Sequence, residues 1–278
     1  MGQVLFIVWR ESVEAMLVVG ILHAWLSHNA ADSGGKRWLW GGVGLGLLLA
    51  ALLAFGLFAA AELLGPHQDA FQAGMVFAAA ALIVHMVLWM RAHGRTLKKD
   101  LESGLAQQAG SRNWWGVLTL VAIAVAREGS EAVVFLYGMM AAAPREQLGG
   151  MALAGLAGLG LALLTFWLLQ LGGKYLSWRL FFRATEIMLL LLAAALFISG
   201  VDKLQSMELL PSLIDPLWDS SALLDDMSPA GGVLAALTGY RAHPSLTSLL
   251  AYGGYWLAIM ALLRWRNGRA ATAVRSAA

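Results

Sequence analysis

The chain has 278 residues, of which 59% are hydrophobic and 13% are charged, and its formal net charge is +2. Because a soluble domain carries about 25% charged residues, this composition, with a mean hydropathy of +0.69, excludes an ordinary soluble protein and predicts one that crosses the lipid bilayer several times. The small net charge, with basic residues dispersed over loops, argues against a nucleic-acid partner. The lack of cysteine excludes disulfides and thiolate-bound iron–sulfur or zinc sites.

Runs of apolar residues predict how the chain is organised, since about 20 such residues are needed to cross a bilayer as a helix. Seven runs meet this requirement, and they predict an all-α membrane protein with seven transmembrane helices in one domain over 1–278. An outer loop over 203–245 precedes the last helix, and a polar tail over 265–278 follows it. The predicted spans are 4–26, 38–63, 70–90, 114–142, 148–171, 183–202 and 246–264.

Lysine and arginine residues in the loops predict the orientation, because cytoplasmic loops of membrane proteins carry an excess of positive charge. Fourteen of the 19 lysine and arginine residues lie in the tail and in the loops after the first, third and fifth spans. Three lie in the loops on the opposite side. The N-terminus is therefore predicted to be outside and the C-terminus cytoplasmic.

The first and fourth spans each contain three charged residues in their middle. Residues 10–14 read Arg-Glu-Ser-Val-Glu, and residues 127–131 read Arg-Glu-Gly-Ser-Glu. A charged side chain at the bilayer centre costs about 2.5–3.5 kcal/mol on insertion scales, and such residues usually face a bundle interior or a water-filled path. Two matching clusters therefore indicate a functional site within the membrane.

The two clusters also mark an internal repeat, because the flanking residues match when the spans are aligned at an offset of 117 residues. The first and fourth spans run in opposite directions, so the pattern predicts a 3+3 inverted repeat over about 4–90 and 114–202, plus one helix. This architecture puts a substrate site near the membrane midplane. The matching pairs are Val4 and Val121, Val8 and Val125, and Ala15 and Ala132.

Each cluster places its acidic residues on one helix face. Glu11 and Glu14 are three residues apart, as are Glu128 and Glu131, and each arginine lies four residues before the second glutamate, within reach of an ion pair. If the two antiparallel helices are neighbours, Glu11 lies level with Glu131, and Glu14 with Glu128. The levels differ by about 4.5 Å. The spacing therefore predicts two stacked carboxylate pairs through which a cation passes in steps.

The four glutamates together with Arg10 and Arg127 carry a net charge of −2 when all are ionised. Carboxylate oxygens are hard ligands that suit Mg²⁺, Ca²⁺, Mn²⁺ and, by the same argument, ferric iron. The arginines either keep the empty site ionised and gate it, or repel excess cations. The residues leave four alternatives open, namely a structural knot of ion pairs, a transporter of another divalent cation such as Mn²⁺, a metal sensor, and a membrane enzyme with a di-metal carboxylate centre.

The doubled motif resembles that of the oxidase-dependent iron permease family. Three further segments are similar to that family, namely residues 89–99 at the end of the third span, 183–186 at the start of the sixth and 197–205 at its end. The resemblance covers nearly the whole chain and implies a seven-helix iron permease. It disfavours the enzyme alternative, as does the fact that di-metal centres in helical bundles use Glu-x-x-His motifs, whereas no histidine follows the four glutamates at that spacing.

The resemblance also implies the cargo, the partners and the site. The expected protein is a permease of the bacterial inner membrane that needs no cofactor and takes ferric iron after oxidation by an oxidase or another iron-delivery partner outside. The chain departs from the family at Gln72, where members often carry an acidic residue, although Asp69 is nearby. The residues implied to bind iron in transit are Glu11, Glu14, Glu128 and Glu131.

Secondary candidates lie near the ends of the spans. Glu186, at the cytoplasmic start of the sixth span, would receive iron on the exit side or pair with Arg183. Asp202, at the outer end of that span, is a candidate ligand on the way in or an interfacial helix-end residue. His85 is expected to pack inside the bundle rather than bind metal. The acidic outer loop suits cation collection or a partner, and the sequence leaves a homo-oligomer open.

Overall fold

The structure, a computed structural model, describes residues 2–29, 34–93, 97–111, 113–142, 148–172, 178–226 and 228–276. In this part of the chain the backbone forms helices and turns and contains no strand, which agrees with the predicted all-α class. The elements are α1 (Gly2–Asn29), α2 (Gly35–Leu63), a 3-10 turn (Gly65–His67), α3 (Gln68–His93), α4 (Leu97–Gly110), α5 (Trp114–Ala142), α6 (Leu148–Gly172), α7 (Trp178–Ser206), α8 (Pro229–Thr238) and α9 (Leu246–Ser276).

Seven of these helices coincide with the predicted spans. Among the described residues, five helices are long and apolar enough to cross a membrane, namely α2, α3, α6, α7 and α9. The other two, α1 and α5, contain the charged clusters, which lower their hydropathy. The count of seven spans and their orientation therefore stay predictions, while the apolar helices identify a membrane protein.

The last helix is longer than the membrane span predicted for it. α9 begins at Leu246, as expected, but it continues to Ser276 through most of the stretch predicted as a polar tail over 265–278. Polar residues exclude that stretch from the bilayer core but do not oppose helix formation. Alanine and arginine, which recur there, are strong helix formers, and no proline interrupts them. The predicted span over 246–264 therefore matches the apolar part of α9, Leu246–Trp265, and the helix continues beyond it.

Two short helices lie in the predicted connections. α4 occupies most of the stretch between the third and fourth spans, and its Leu105 is fully buried in a cluster with residues of α1 and α5. α8 lies in the outer loop, where the Ser228 hydroxyl accepts a hydrogen bond from its first turn and Gly239 ends it in a left-handed conformation, with φ 78°. Gln3 of α1 donates a hydrogen bond to the carbonyl oxygen of Ala236 in α8. The start of α1 is thereby tied to the outer loop.

Close helix crossings support the two motif-bearing helices. α2 packs along α5, α6 packs along α1, and α1 also contacts α5. A Cβ atom at Gly46 would lie 2.9 Å from the carbonyl oxygen of Ala122, and one at Gly158 would lie 2.5 Å from that of Leu5. Both crossings therefore need glycine. Leu5 and Ala122 are separated by the same 117 residues that relate the two motifs, so the two crossings occupy equivalent registers.

The charged residues lie between two apolar clusters along both motif helices. One cluster joins α1 and α5 to α2 and α4. Its buried residues nearest the charged residues are Val18 on α1 and Val125 on α5. The other joins α1 and α5 to α3, α7 and α9, and it includes Ile7 of α1 and Phe135 of α5. Apolar packing therefore flanks the polar site on both sides.

Candidate metal centre

Both motifs turn their glutamates into the bundle, and the first also buries its arginine. Arg10 is 2% exposed, Glu11 3% and Glu128 7%, so these three are buried. Glu14 and Glu131 are partly buried. Because residues three and four apart share one helix face, α1 and α5 each present both of their glutamates toward the shared site.

Three of the four glutamates form one cluster. Carboxylate oxygens of Glu11, Glu128 and Glu131, one from each residue, lie within 4.8 Å of one another. Glu11 is therefore close to Glu131, as the antiparallel alignment predicts, but Glu128 joins the same group instead of lying on a separate level. The three carboxylates do not separate into the two predicted levels, because a flexible glutamate side chain can span most of a 4.5 Å step along a helix axis.

One oxygen of each clustered carboxylate lacks a hydrogen bond to any described residue. The Oε2 atoms of Glu11, Glu128 and Glu131 are buried and accept no hydrogen bond from any group in the described part of the chain. Burial of an unpaired polar group costs free energy, and nearly all buried polar atoms in proteins are paired. Three such oxygens in one cluster indicate a position that a cation would complete.

Four side chains contact the Arg10 guanidinium. Its Nη1 atom donates to Glu11 Oε1 at 2.6 Å and to Met86 Sδ at 2.9 Å. Its Nη2 atom lies 2.5 Å from Glu14 Oε1 and donates to Met90 Sδ at 2.8 Å. The predicted ion pair between Arg10 and Glu14 is confirmed, and α3 supplies two further contacts.

Arg127 has fewer and looser contacts. Its Nε atom donates to Glu131 Oε1 at 3.2 Å, which confirms the second predicted ion pair. Its guanidinium carbon lies 3.8 Å from the ring centroid of Trp89 on α3, a cation–π contact. The side chain is 36% exposed. Both arginines of the motifs therefore contact side chains of α3.

The sequence model of the iron permease FTR1 family matches residues 1–271 of the chain. The chain belongs to this family. A Shigella sonnei (strain Ss046) protein named ferrous iron permease EfeU is 30% identical over 279 residues, which cover 98% of each chain. A protein of the same name from Yersinia pestis is 28% identical over 264 residues, 92% of this chain and 90% of its own. No solved structure matches the chain.

Family membership confirms the resemblance inferred from the motifs and identifies the class of protein. The chain is an iron permease, with iron as the transported substrate, and a multi-pass protein of the bacterial inner membrane. A permease is a transporter and not an enzyme, so the di-metal enzyme alternative is excluded.

The permease uses three residues of α3 at its polar site that sequence reasoning missed. Met86 and Met90 contact Arg10, and Trp89 contacts Arg127. The sequence alone gives no sign that Trp89 or the two methionines face the motifs. Their spacing of one helical turn was a usable signal, but only together with knowledge of which face of α3 turns toward α1 and α5.

The two secondary candidates of the permease engage partners from other elements. Glu186 of α7 contacts the guanidinium of Arg91 at the end of α3, a partner that spacing along one helix does not suggest. Asp202 Oδ2 accepts a hydrogen bond from Arg241 Nε at 3.0 Å, and Asp202 Oδ1 accepts one from the Ser248 hydroxyl at 2.9 Å. Asp202 therefore ties α7 to the outer loop and to α9.

Polar contacts also join the start of α3 to the end of α7. Lys203 Nζ donates to the side-chain oxygen of Gln72 and lies 3.7 Å from Asp69 Oδ1. Two cavities of about 380 and 390 Å³ are both lined by Asp202 and Arg241, and the second is also lined by Asp69 and Lys203. Mixed charges line this end of the bundle, in contrast to the predominantly acidic centre.

Two further predictions concern residues away from the centre. His85 lies on the exposed face of α3, so the expectation that it packs inside the bundle is wrong. In the outer loop, Asp219 Oδ1 lies 3.1 Å from His243 Nε2. Hydrogen bonds from the Ser221 hydroxyl and backbone N–H hold the pKa of Asp219 below its usual value. The acidic loop thus contains at least one carboxylate with partners of its own.

Proposed function

We propose that the permease imports iron through the carboxylates of Glu11, Glu14, Glu128 and Glu131. The observation that carries the proposal is the cluster of three carboxylates from two helices, each with a buried oxygen that accepts no hydrogen bond from a described group. Four ionised carboxylates and two guanidinium groups leave an excess of negative charge. A bound cation supplies the missing charge and the missing partners together.

Arg10 and Arg127 have a supporting role in this proposal. A buried carboxylate that loses its only counter-charge is strongly destabilised, so the arginines keep the glutamates ionised while no ion is bound. An arriving iron ion takes over the compensation, and the guanidinium groups give way. The ion pairs of Arg10 with Glu11 and Glu14 support this role.

The proposed architecture is a single membrane domain with a 3+3 inverted repeat, over about 4–90 and 114–202, followed by one further helix. The equivalent registers of Gly46 and Gly158 support the repeat. The distribution of lysine and arginine over the loops supports an outer N-terminus and a cytoplasmic C-terminus. Import then moves iron from the outer side, through the site near the midplane, into the cytoplasm.

The experiment is uptake of radioactive iron by vesicles that contain glutamine variants, since glutamine keeps the side-chain shape and removes the charge. Glu11→Gln and Glu128→Gln are expected to lower uptake to background. Glu62→Gln, at an exposed position near the end of α2, is the matched control and is expected to transport like the wild type. Wild-type uptake by the Glu11→Gln variant would contradict the proposal.

Two oxidation states of the cargo are candidates, and each has one observation in its favour. The all-oxygen cluster of Glu11, Glu128 and Glu131 suits ferric iron, as the sequence predicts, because ferric iron is the harder ion. The names of the relatives specify ferrous iron. Uptake from a ferric chelate, measured with and without ascorbate, separates them. Reduction lowers uptake of a ferric cargo and raises uptake of a ferrous one.

The proposal extends to both ends of the path. Asp202 and Glu186 support iron movement at the outer and cytoplasmic ends, so Asp202→Asn and Glu186→Gln are expected to slow uptake without abolishing it. The acidic loop over 203–245 is the proposed docking face for an oxidase or another iron-delivery partner, which a ferric cargo requires. The proposal includes no cofactor. A homo-oligomer is tested by the mass of the purified permease.

A further inference from the structure

The Arg10 guanidinium lies where a metal ion would meet two carboxylates and two thioethers. Its Nη1 atom contacts both Glu11 Oε1 and Met86 Sδ, and its Nη2 atom contacts both Glu14 Oε1 and Met90 Sδ. Each nitrogen of the cation is thus shared by one oxygen and one sulfur. Metal–ligand bonds are about 2.0–2.3 Å long, so small movements of the same side chains would close them on an ion.

The use of sulfur at this position is informative. A thioether is a weak hydrogen-bond acceptor, so a carbonyl or amide oxygen would hold a permanent arginine more firmly. Methionine often fills irregular gaps in a core, but gap filling does not require both sulfur atoms to face a positive charge. Met86 is 2% exposed and lies one turn before Met90, so both sulfurs come from one face of α3. The two sulfur atoms therefore bind a guanidinium weakly and would bind a softer metal ion more strongly.

We propose that Met86 and Met90, together with Glu11 and Glu14, form a second metal position that takes ferrous iron when the Arg10 guanidinium moves away. The proposal rests on the proposed function, in which Glu11 and Glu14 carry iron. It adds ligands from α3 and a chemical preference that the four glutamates alone do not have.

The two positions differ in hardness and share one residue. The cluster of Glu11, Glu128 and Glu131 offers oxygen only, whereas the second position offers two oxygens and two sulfurs. Thioether ligands select softer ions, while Mg²⁺, Ca²⁺ and Mn²⁺ prefer oxygen, so the second position favours ferrous iron over these competitors. Glu11 binds Arg10 through Oε1 and leaves Oε2 without a partner among the described groups. Glu11 can therefore pass a ferrous ion from the first position to the second with no change in oxidation state.

The direct test is the iron X-ray absorption spectrum of the purified permease loaded anaerobically with ferrous iron, in sulfur-free buffer and detergent. The chain has 12 methionines and no cysteine, so any sulfur bound to iron comes from methionine. A sulfur shell is expected in the wild type. An oxygen- and nitrogen-only shell, or a failure to bind ferrous iron at all, would overturn the proposal whatever the variants do.

A double variant identifies the methionines. Met86→Leu with Met90→Leu keeps the apolar volume and is expected to remove the sulfur shell. Met139→Leu with Met140→Leu is the matched control, since Met139 is buried and Met140 packs against the same apolar cluster, and it is expected to keep that shell. A sulfur shell that survives in the Met86/Met90 variant and disappears in the control would also overturn the proposal.

Uptake measurements separate this proposal from the proposed function. In the Met86/Met90 variant, Mn²⁺ is expected to inhibit ferrous iron uptake at about tenfold lower concentration than in the wild type, because selection against oxygen-preferring ions is lost. An unchanged inhibition curve counts against the second position alone. Wild-type iron uptake by the Glu11→Gln variant would contradict the proposed function itself, in which iron passes through Glu11. If Glu11→Gln abolishes uptake but the wild type shows no sulfur bound to iron, the proposed function is supported and only the second metal position is contradicted.

Discussion

The two copies of the motif have nearly the same sequence but different surroundings. Arg10 is almost completely buried and contacts two glutamates and two methionines. Arg127 is 36% exposed and contacts Glu131 and the face of Trp89. Repetition in the sequence therefore produced equivalent helices but unequal arginines, and the inequality comes from α3, which meets the two copies through different side chains.

The largest expected effect compares the two arginines directly. Arg10→Gln leaves Glu11 and Glu14 buried without their counter-charge, and loss of one partner of a buried ion pair costs about 3–5 kcal/mol. Arg127→Gln is expected to cost less, because Arg127 forms one ion pair among the described residues whereas Arg10 forms two. Chemical unfolding in detergent micelles measures both free energies. Equal losses would mean that the two arginines have equivalent surroundings.

A second substitution tests the reason for that difference. If Arg10→Gln is costly because it leaves charges unpaired, then adding Glu14→Gln is expected to recover about 1–3 kcal/mol, the penalty of a buried unsatisfied group. The control adds Glu62→Gln to Arg10→Gln and is expected to recover nothing. No recovery in the Arg10/Glu14 double variant would contradict the account of Arg10 as a counter-charge.

The glycine crossings offer a comparison in which the two copies are expected to behave alike. Gly46→Ala and Gly158→Ala each force a Cβ against a neighbouring backbone oxygen, and overpacking of this kind costs about 1–3 kcal/mol. Gly44 and Gly160 are the controls, because a Cβ at either meets nothing within 4 Å. Thermal unfolding of the four variants measures the effect. A loss at only one crossing would break the equivalence.

The smallest expected effect concerns the cation–π contact. Trp89→Leu is expected to cost about 0.5–1 kcal/mol more when Arg127 is present than when Arg127→Gln has removed the cation, the size of a cation–π contact. The Trp167→Leu variant changes an exposed tryptophan of α6 and should show no such dependence. A double-mutant cycle on unfolding free energies measures the coupling.

Contacts within one helix could be predicted from the sequence, whereas contacts between helices could not. The ion pairs of Arg10 with Glu14 and of Arg127 with Glu131 follow from four-residue spacing, which fixes neighbours on any α-helix. The approach of Glu128 to Glu11 depends on side-chain conformation and on how α1 crosses α5. The contact of Glu186 with Arg91 depends on the packing of α7 against α3. Spacing along the chain contains neither kind of information.

The limits of the predicted helices have a different cause. Hydropathy reports which residues tolerate lipid, and it found the seven long helices for that reason. It does not report where the backbone stops being helical, so it missed α4 and the extension of α9 to Ser276. α4 is an example, because its average hydropathy is too low to indicate a packed helix, although its Leu105 is fully buried.

The two glycine crossings determine which parts of the permease can move as units. Gly46 fixes α2 to α5, and Gly158 fixes α6 to α1. Each pair combines one helix from the first half of the chain with one from the second. In any rearrangement that preserves both crossings, α2 moves together with α5, and α1 moves together with α6. The units that move therefore differ from the two sequence repeats.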